Sequence, residues 1–169
     1  MWERIIIKYH NKYVFRRIDT GRIKINKTAL LTMSKFIQLS PDATEAGGVL
    51  LGRFILDSDD IVIDNVIIPH KKDRRSRHCF IRDKHSHHSE IVRYWKESNG
   101  TCNYLGEWHT HPESLPEPSP KDICNWKRIL RQAVFDSESL FFIILGTKQL
   151  KAWEGLRESL EIKLLATEI

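Results

Sequence analysis

An α/β fold, with helices packed on both sides of a mixed β-sheet, is what this sequence predicts, in one domain spanning residues 1–169. Three observations lead there. The length suits a single substantial core, and no internal repeat or Pro/Gly/Ser-rich linker divides it. Runs of strand length alternate along the chain with segments of helical period. The run "SLFFIIL" is apolar throughout, as a buried strand is.

Taken in order, "RIIIKYHNKYVFRRI" reads as two strands, about 4–9 and 12–18, around His10-Asn11. Residues 28–40 carry Leu30, Leu31, Met33, Phe36, Ile37 and Leu39 at helical spacing, and Pro41 stops the helix. "GVLLGRFIL" and "DIVIDNVIIP" are adjacent strands joined by the polar turn at 57–60. A second helix fits "SHHSEIVRYWKESNG", with Ile91, Tyr94 and Trp95 as its apolar stripe and Asn99-Gly100 ending it. "CNYLGEWHTH" is a strand. "SPKDICNWKRILRQAVF" is a third helix, with Ser119 at the N-cap and Pro120 at the first helical position. A buried strand, a turn and another strand follow across 139–155, and "ESLEIKLLA" alternates like a last edge strand.

Composition narrows the function classes. An apolar share of 41% lies well above that of disordered chains. No span reaches the roughly 20 apolar residues that cross a bilayer. The charge is +5, with one local run, "HKKDRRSRH" at 70–78. That run is a solvated loop or a docking surface for an acidic partner; a nucleic-acid partner has no phosphate loop or RNA-binding signature behind it. Three cysteines, Cys79, Cys102 and Cys124, with no secretory leader, suggest reduced thiols and a cytoplasmic protein.

The chemistry-bearing stretch is "GEWHTHPESLPEPSPKD" at 106–122. His109 and His111 are two apart on a strand, so both imidazoles leave one face. Asp122 falls in the first turn of the next helix. The intervening "PESLPEPSP" holds four prolines, and so stiff a segment can fold the helix start over the strand end. Two neutral imidazoles and one carboxylate suit zinc, leaving a fourth position for water whose pKa falls to about 7. Ser119, near one turn before Asp122, can turn its hydroxyl to the metal side as an oxyanion donor. Each residue alone has an ordinary explanation: a structural His-x-His, a helix cap, an acid at a positive helix end. Their joint spacing is what singles them out.

That spacing resembles the JAMM signature of the MPN-domain metalloproteases, which implies a cytidine-deaminase-like sandwich and one catalytic zinc. The family places a glutamate ahead of a glycine-bearing strand, and "EAGGVLLG" at 45–52 matches it, so the resemblance implies Glu45 as general base and acid. Trp108 and Glu113 flank the ligands and are expected to line the substrate groove. The wording around the motif resembles the small bacterial JAMM proteins of CBASS anti-phage operons. That implies an isopeptidase, functionally linked to an activating and conjugating enzyme fusion, that releases a nucleotidyltransferase from its protein conjugates. Trimming of a ubiquitin-like or sulfur-carrier precursor uses the same site and remains open, as does a non-catalytic binding module. The cluster His85, His87, His88 is expected as a surface group at a helix start rather than a second metal site. Cys102 and Cys124 are expected as small core residues.

Overall fold

The computed structural model describes residues 13–168. The strand expected over 4–9 lies outside them. The described elements are β1 (Tyr13–Arg16), β2 (Arg22–Ile25), α1 (Lys27–Ser34), β3 (Gly47–Phe54), β4 (Ile61–Ile67), β5 (Arg74–Ser76), β6 (Cys79–Ile81), α2 (Lys84–Glu97), β7 (Asn103–Thr110), α3 (Pro120–Gln132), β8 (Ser139–Leu145), β9 (Leu150–Leu156) and β10 (Ile162–Leu164).

Eight strands form one sheet in the order β1-β2-β4-β3-β7-β8-β9-β10, while β5 and β6 pair only with each other. β2/β4 and β7/β8 are parallel and the other pairs antiparallel, so the sheet is mixed as expected. β8 shows why both faces are covered. Phe141, Ile143 and Leu145 join Ala29, Leu30 and Met33 of α1 in one cluster. Leu140, Phe142 and Ile144 join Trp126, Ile129 and Leu130 of α3 on the other face. α2 lies on that second face too, its Ile91 and Tyr94 against Val49, Leu51 and Ile67.

Three differences from the sequence reading have physical causes. β2 was not anticipated, although Arg22–Ile25 alternates exposed and buried residues after Gly21. α1 ends at Ser34 rather than near Leu39. Beyond it Gln38 is buried and takes side-chain hydrogen bonds with Ala43, Arg77 and Thr110, which a continued helix would not allow. The basic run at 70–78 is a loop only in part, because β5 lies inside it and pairs with β6 as a short hairpin, while 70–73 and 77–78 are loop and turn.

The two edges of the large sheet meet. Arg16 N–H donates to Ala166 C=O and Glu168 N–H to Val14 C=O, so the segment after β10 pairs with β1. Glu154, 1% exposed, ties the same seam: it accepts from Arg17 Nη2 at 2.9 Å, Ser139 Oγ at 2.7 Å and Ile18 N–H at 2.9 Å. Removing one partner of a buried ion pair typically costs about 3–5 kcal/mol. Because Arg17 keeps some solvent, Glu154→Ala is expected to lower unfolding stability by about 3 kcal/mol in urea titrations. A loss below about 1 kcal/mol, the scale of a surface ion pair, would show that the seam is marginal.

Candidate metal centre

β7 reaches the site through a bulge. Leu50 pairs with Gly106 and Leu51 with Tyr104, so Leu105 is the extra residue. Gly106 has φ 140, and a Cβ there would stand 1.8 Å from Phe141 O, so only glycine fits. The bulge reverses the alternation: Leu105 and Trp108, three apart, share the α1-side core. His109, beyond it, lies toward α3, its ring 6.3 Å from that of Trp126.

The centre forms where β7 ends and α3 begins. His109 Nε2 and His111 Nε2 stand 3.0 Å apart. Asp122 Oδ1 lies 3.4 Å from His109 Nε2, and Asp122 Oδ2 lies 3.5 Å from His111 Nε2. The three donor atoms all fall within 4.8 Å of one another. Two imidazole nitrogens facing a carboxylate are a donor set that suits a divalent ion such as zinc, so the residues fit a metal. His111 Nδ1 is buried without a hydrogen bond, and the Glu113 carboxylate 3.5 Å away is its nearest charged neighbour. Carboxylates in that position orient metal-binding histidines.

α3 starts as its sequence dictates. Ser119 caps it and Pro120 opens it, and a capping box closes reciprocally with Asp122. Asp122 Oδ2 accepts from Ser119 N–H at 2.7 Å and Ser119 Oγ at 2.6 Å, which leaves Oδ1 for a cation. Burial opposes the Asp122 charge, yet the two imidazoles and Ser119 outweigh it and hold the carboxyl far below the usual carboxylate range. The single hydroxyl proton of Ser119 is directed at Asp122, so donation to a substrate oxygen requires the hydroxyl to turn.

Glu45 completes the group, with Oε1 3.8 Å from His111 Nε2. Burial pushes its carboxyl up to about 7; His111 and Lys121 oppose that, while Asp122 and Glu113 add to it. Burial lowers the His111 pKa, but Asp122, Glu45 and Glu113 together leave it raised. The backbone around Glu45 is pinned on every side. Glu45 N–H donates to Ser76 C=O at 2.8 Å, Arg75 Nε donates to Glu45 C=O at 2.7 Å, and Ala46 N–H donates to Thr110 Oγ1 at 3.0 Å. Thr110 in turn donates to Gln38 Oε1 at 3.2 Å, so the residue between the two histidines positions the glutamate. Gln38 and Thr110 escaped the sequence reading. The strand alternation that aims His109 and His111 one way aims Thr110 the other, and that was the available signal; Gln38 had none.

Trp108 does not line the groove. It is 1% exposed, faces the α1 side, and donates its Nε1–H to Ile67 C=O. Glu113 is exposed beside His111. His87 is not a surface residue: it is fully buried against Asp73 at 2.9 Å, while His85 and His88 are exposed. Cys124 is exposed rather than in the core, and Cys102 is half-buried. Cys79 of β6 meets the start of α3, its Sγ accepting from Lys121 Nζ at 2.9 Å.

Known proteins are similar to this chain over most of its length. A family model described as prokaryotic homologs of the JAB domain matches residues 36–156. A protein of Escherichia coli (strain TW11681) named CD-NTase/cGAS isopeptidase is 30% identical over 155 residues, covering 92% of this chain and 94% of that one. A namesake from Vibrio cholerae is 35% identical, covering 78% and 77%. One from Pseudomonas aeruginosa is 36% identical over 107 residues, covering 63% and 66%. The solution structure of DSY2949 from Desulfitobacterium hafniense shares the fold at a TM-score of 0.56 and 23% identity, covering 86% of this chain and 89% of that one. Because the family match runs from before β3 through β9 and takes in α2, α3 and the whole centre, the chain belongs to the prokaryotic homologs of the JAB domain.

Proposed function

We propose that this protein is a zinc-dependent isopeptidase that hydrolyses the bond between the C-terminus of a nucleotidyltransferase and a lysine of its conjugated target, in cytoplasmic anti-phage defence beside an activating and conjugating enzyme fusion. The observation that carries the reading is the convergence of Glu45, His109, His111, Asp122 and Ser119 on one spot. The names of the Escherichia coli, Vibrio and Pseudomonas relatives support the bond type and the substrate class.

His109, His111 and Asp122 would hold the ion. Bound there, zinc would polarise the scissile carbonyl and acidify water. Glu45 then has two tasks. Its carboxylate takes the proton of the attacking water, and the same oxygen returns that proton to the leaving lysine amine. Burial raises that carboxyl, which favours donation to the amine, while the dication beside it opposes the rise and keeps it basic enough to accept. Ser119 turns its hydroxyl from Asp122 to the oxygen of the tetrahedral species. Water and amide give a carboxylate and a free amine.

The test is cleavage of a lysine conjugate of the nucleotidyltransferase, with and without a chelator. Zinc-loaded protein is expected to release both products, and chelation to stop it until zinc is restored. Cleavage that persists with chelator would overturn the metal chemistry. Failure on the conjugate, with cleavage of a C-terminally extended ubiquitin-like precursor, would replace deconjugation by precursor trimming.

A further inference from the structure

The basic run at 70–78 forms the rim of the centre. Ser76 C=O accepts from Glu45 N–H, so the β5–β6 hairpin is hydrogen-bonded to the general base's own backbone. Arg75 and Arg77 hold it there, donating to the carbonyls of Thr44 and Glu45 and of Ser40 and Pro41. From behind, the one acid of the run is consumed internally. Asp73 is buried against His87 and accepts from the N–H groups of His70 and Asp83.

What remains outward is cationic. Lys71, Lys72 and Arg74 are exposed. Among the described residues, none of them has a carboxylate within 4.0 Å, and neither do Arg75 and Arg77. Lys72 stands in the field of Asp83, which is already capping α2. Against the hairpin, Lys121 of α3 reaches Cys79 of β6 and adds to the positive edge. A bound dication would balance Glu45 and Asp122, which leaves the field of this rim free for a ligand.

We propose that the hairpin is a docking surface for an acidic segment of the protein substrate, lying within about five residues of the scissile bond, with Lys71, Lys72 and Arg74 as its contacts. This rests on the isopeptidase reading. The reach follows from the spacing: Arg74 is two strand residues from Ser76, about 7 Å, and Ser76 touches Glu45. A protein segment is favoured over single-stranded nucleic acid because the hairpin offers no run of exposed rings for successive bases to stack on: its phenyl ring, Phe80, lies over Gly47, and the exposed imidazole of His78 stands alone in the turn.

Two measurements test it. The first is cleavage of two lysine conjugates that differ only in whether the residues flanking the bond are glutamate or serine. The wild type is expected to prefer the acidic conjugate about tenfold or more through KM, and salt near 0.5 M to erode the preference. In Lys71→Glu/Lys72→Glu/Arg74→Glu the preference collapses. Arg75→Glu, which loosens Glu45, lowers kcat on both conjugates instead. Equal kcat/KM on the two conjugates, or a preference that survives in the triple variant, overturns the proposal. The second measurement is independent of catalysis: binding of the acidic flanking peptide to zinc-loaded protein by fluorescence anisotropy. Salt-sensitive binding lost in the triple variant supports the docking surface even if neither conjugate is cleaved, a result that would count against the isopeptidase reading alone. No binding, or binding of single-stranded DNA in preference to the peptide, overturns it.

Discussion

Glu45→Gln is expected to abolish hydrolysis while leaving the metal in place. Glutamine keeps the shape and volume of the side chain, so the hydrogen bonds pinning its backbone to Ser76 and Arg75 persist. What it loses is the ability to take a proton and return it. General acid–base catalysis contributes typically 10²–10⁴-fold, and here one group serves both halves of the reaction, so a fall in kcat/KM of at least about 10³-fold is expected. The zinc content should not change, because Glu45 is not among the three converging donors. The pH profile gives a second reading. The base works only when ionised, so activity rises with pH through an acid limb. Burial raises that pKa to about 7, and a dication beside it pulls the value down, so the limb lies at or below about 7. Stability runs the opposite way. A carboxyl whose folded pKa is raised stabilises less as pH rises from its unfolded value through its folded one, so above about 7 burying the charge costs stability. Metal-free Glu45→Gln should therefore melt no lower than metal-free wild type at pH 8. Activity within tenfold of wild type in zinc-loaded Glu45→Gln would remove Glu45 from the mechanism.

The tension between burial and charge at Glu45 also shows what a sequence can disclose. The histidines and Asp122 were legible because strand alternation and a helix start are local rules, and "HTHPESLPEPSPKD" obeys both. Alternation also excludes Trp108 from the groove, since the strand neighbour of a residue that faces the metal, as His109 does, must face the core. The α3 cap was legible from Ser119-Pro120, and β8 from its unbroken apolar run. β5 and β6 were not. Three-residue strands reading Arg-Arg-Ser and Cys-Phe-Ile have no apolar period, and their order comes from long-range bonds to Glu45 and from Asp73 meeting His87. Glu45 itself needed the family pattern. Nothing local distinguishes it from other loop acids until Gln38, Thr110 and the hairpin fix its place.

Asp122→Ala is expected to lose activity by a different route, through the metal. Changes in the groups that merely orient ligands cost 10–100-fold in metal affinity. Removing a ligand should therefore cost more than about 100-fold, so the purified variant should carry well under one zinc per chain. Its thermal midpoint should no longer rise with added zinc, whereas that of the wild type should climb with ligand concentration, because the folded state alone presents the converged donors. Asp122 has a second duty that must be separated from the first. It closes the capping box with Ser119, and loss of a cap costs about 1 kcal/mol whether or not metal is bound. Asp122→Asn divides the two. Its side-chain oxygen still accepts from Ser119 N–H, yet it brings no charge to the ion. The metal-free asparagine variant should melt closer to wild type than the alanine variant does, while both bind zinc poorly. Stoichiometric zinc and full activity in Asp122→Ala would mean that the ion is held by another acid, and Glu113 beside His111 would be the first to substitute.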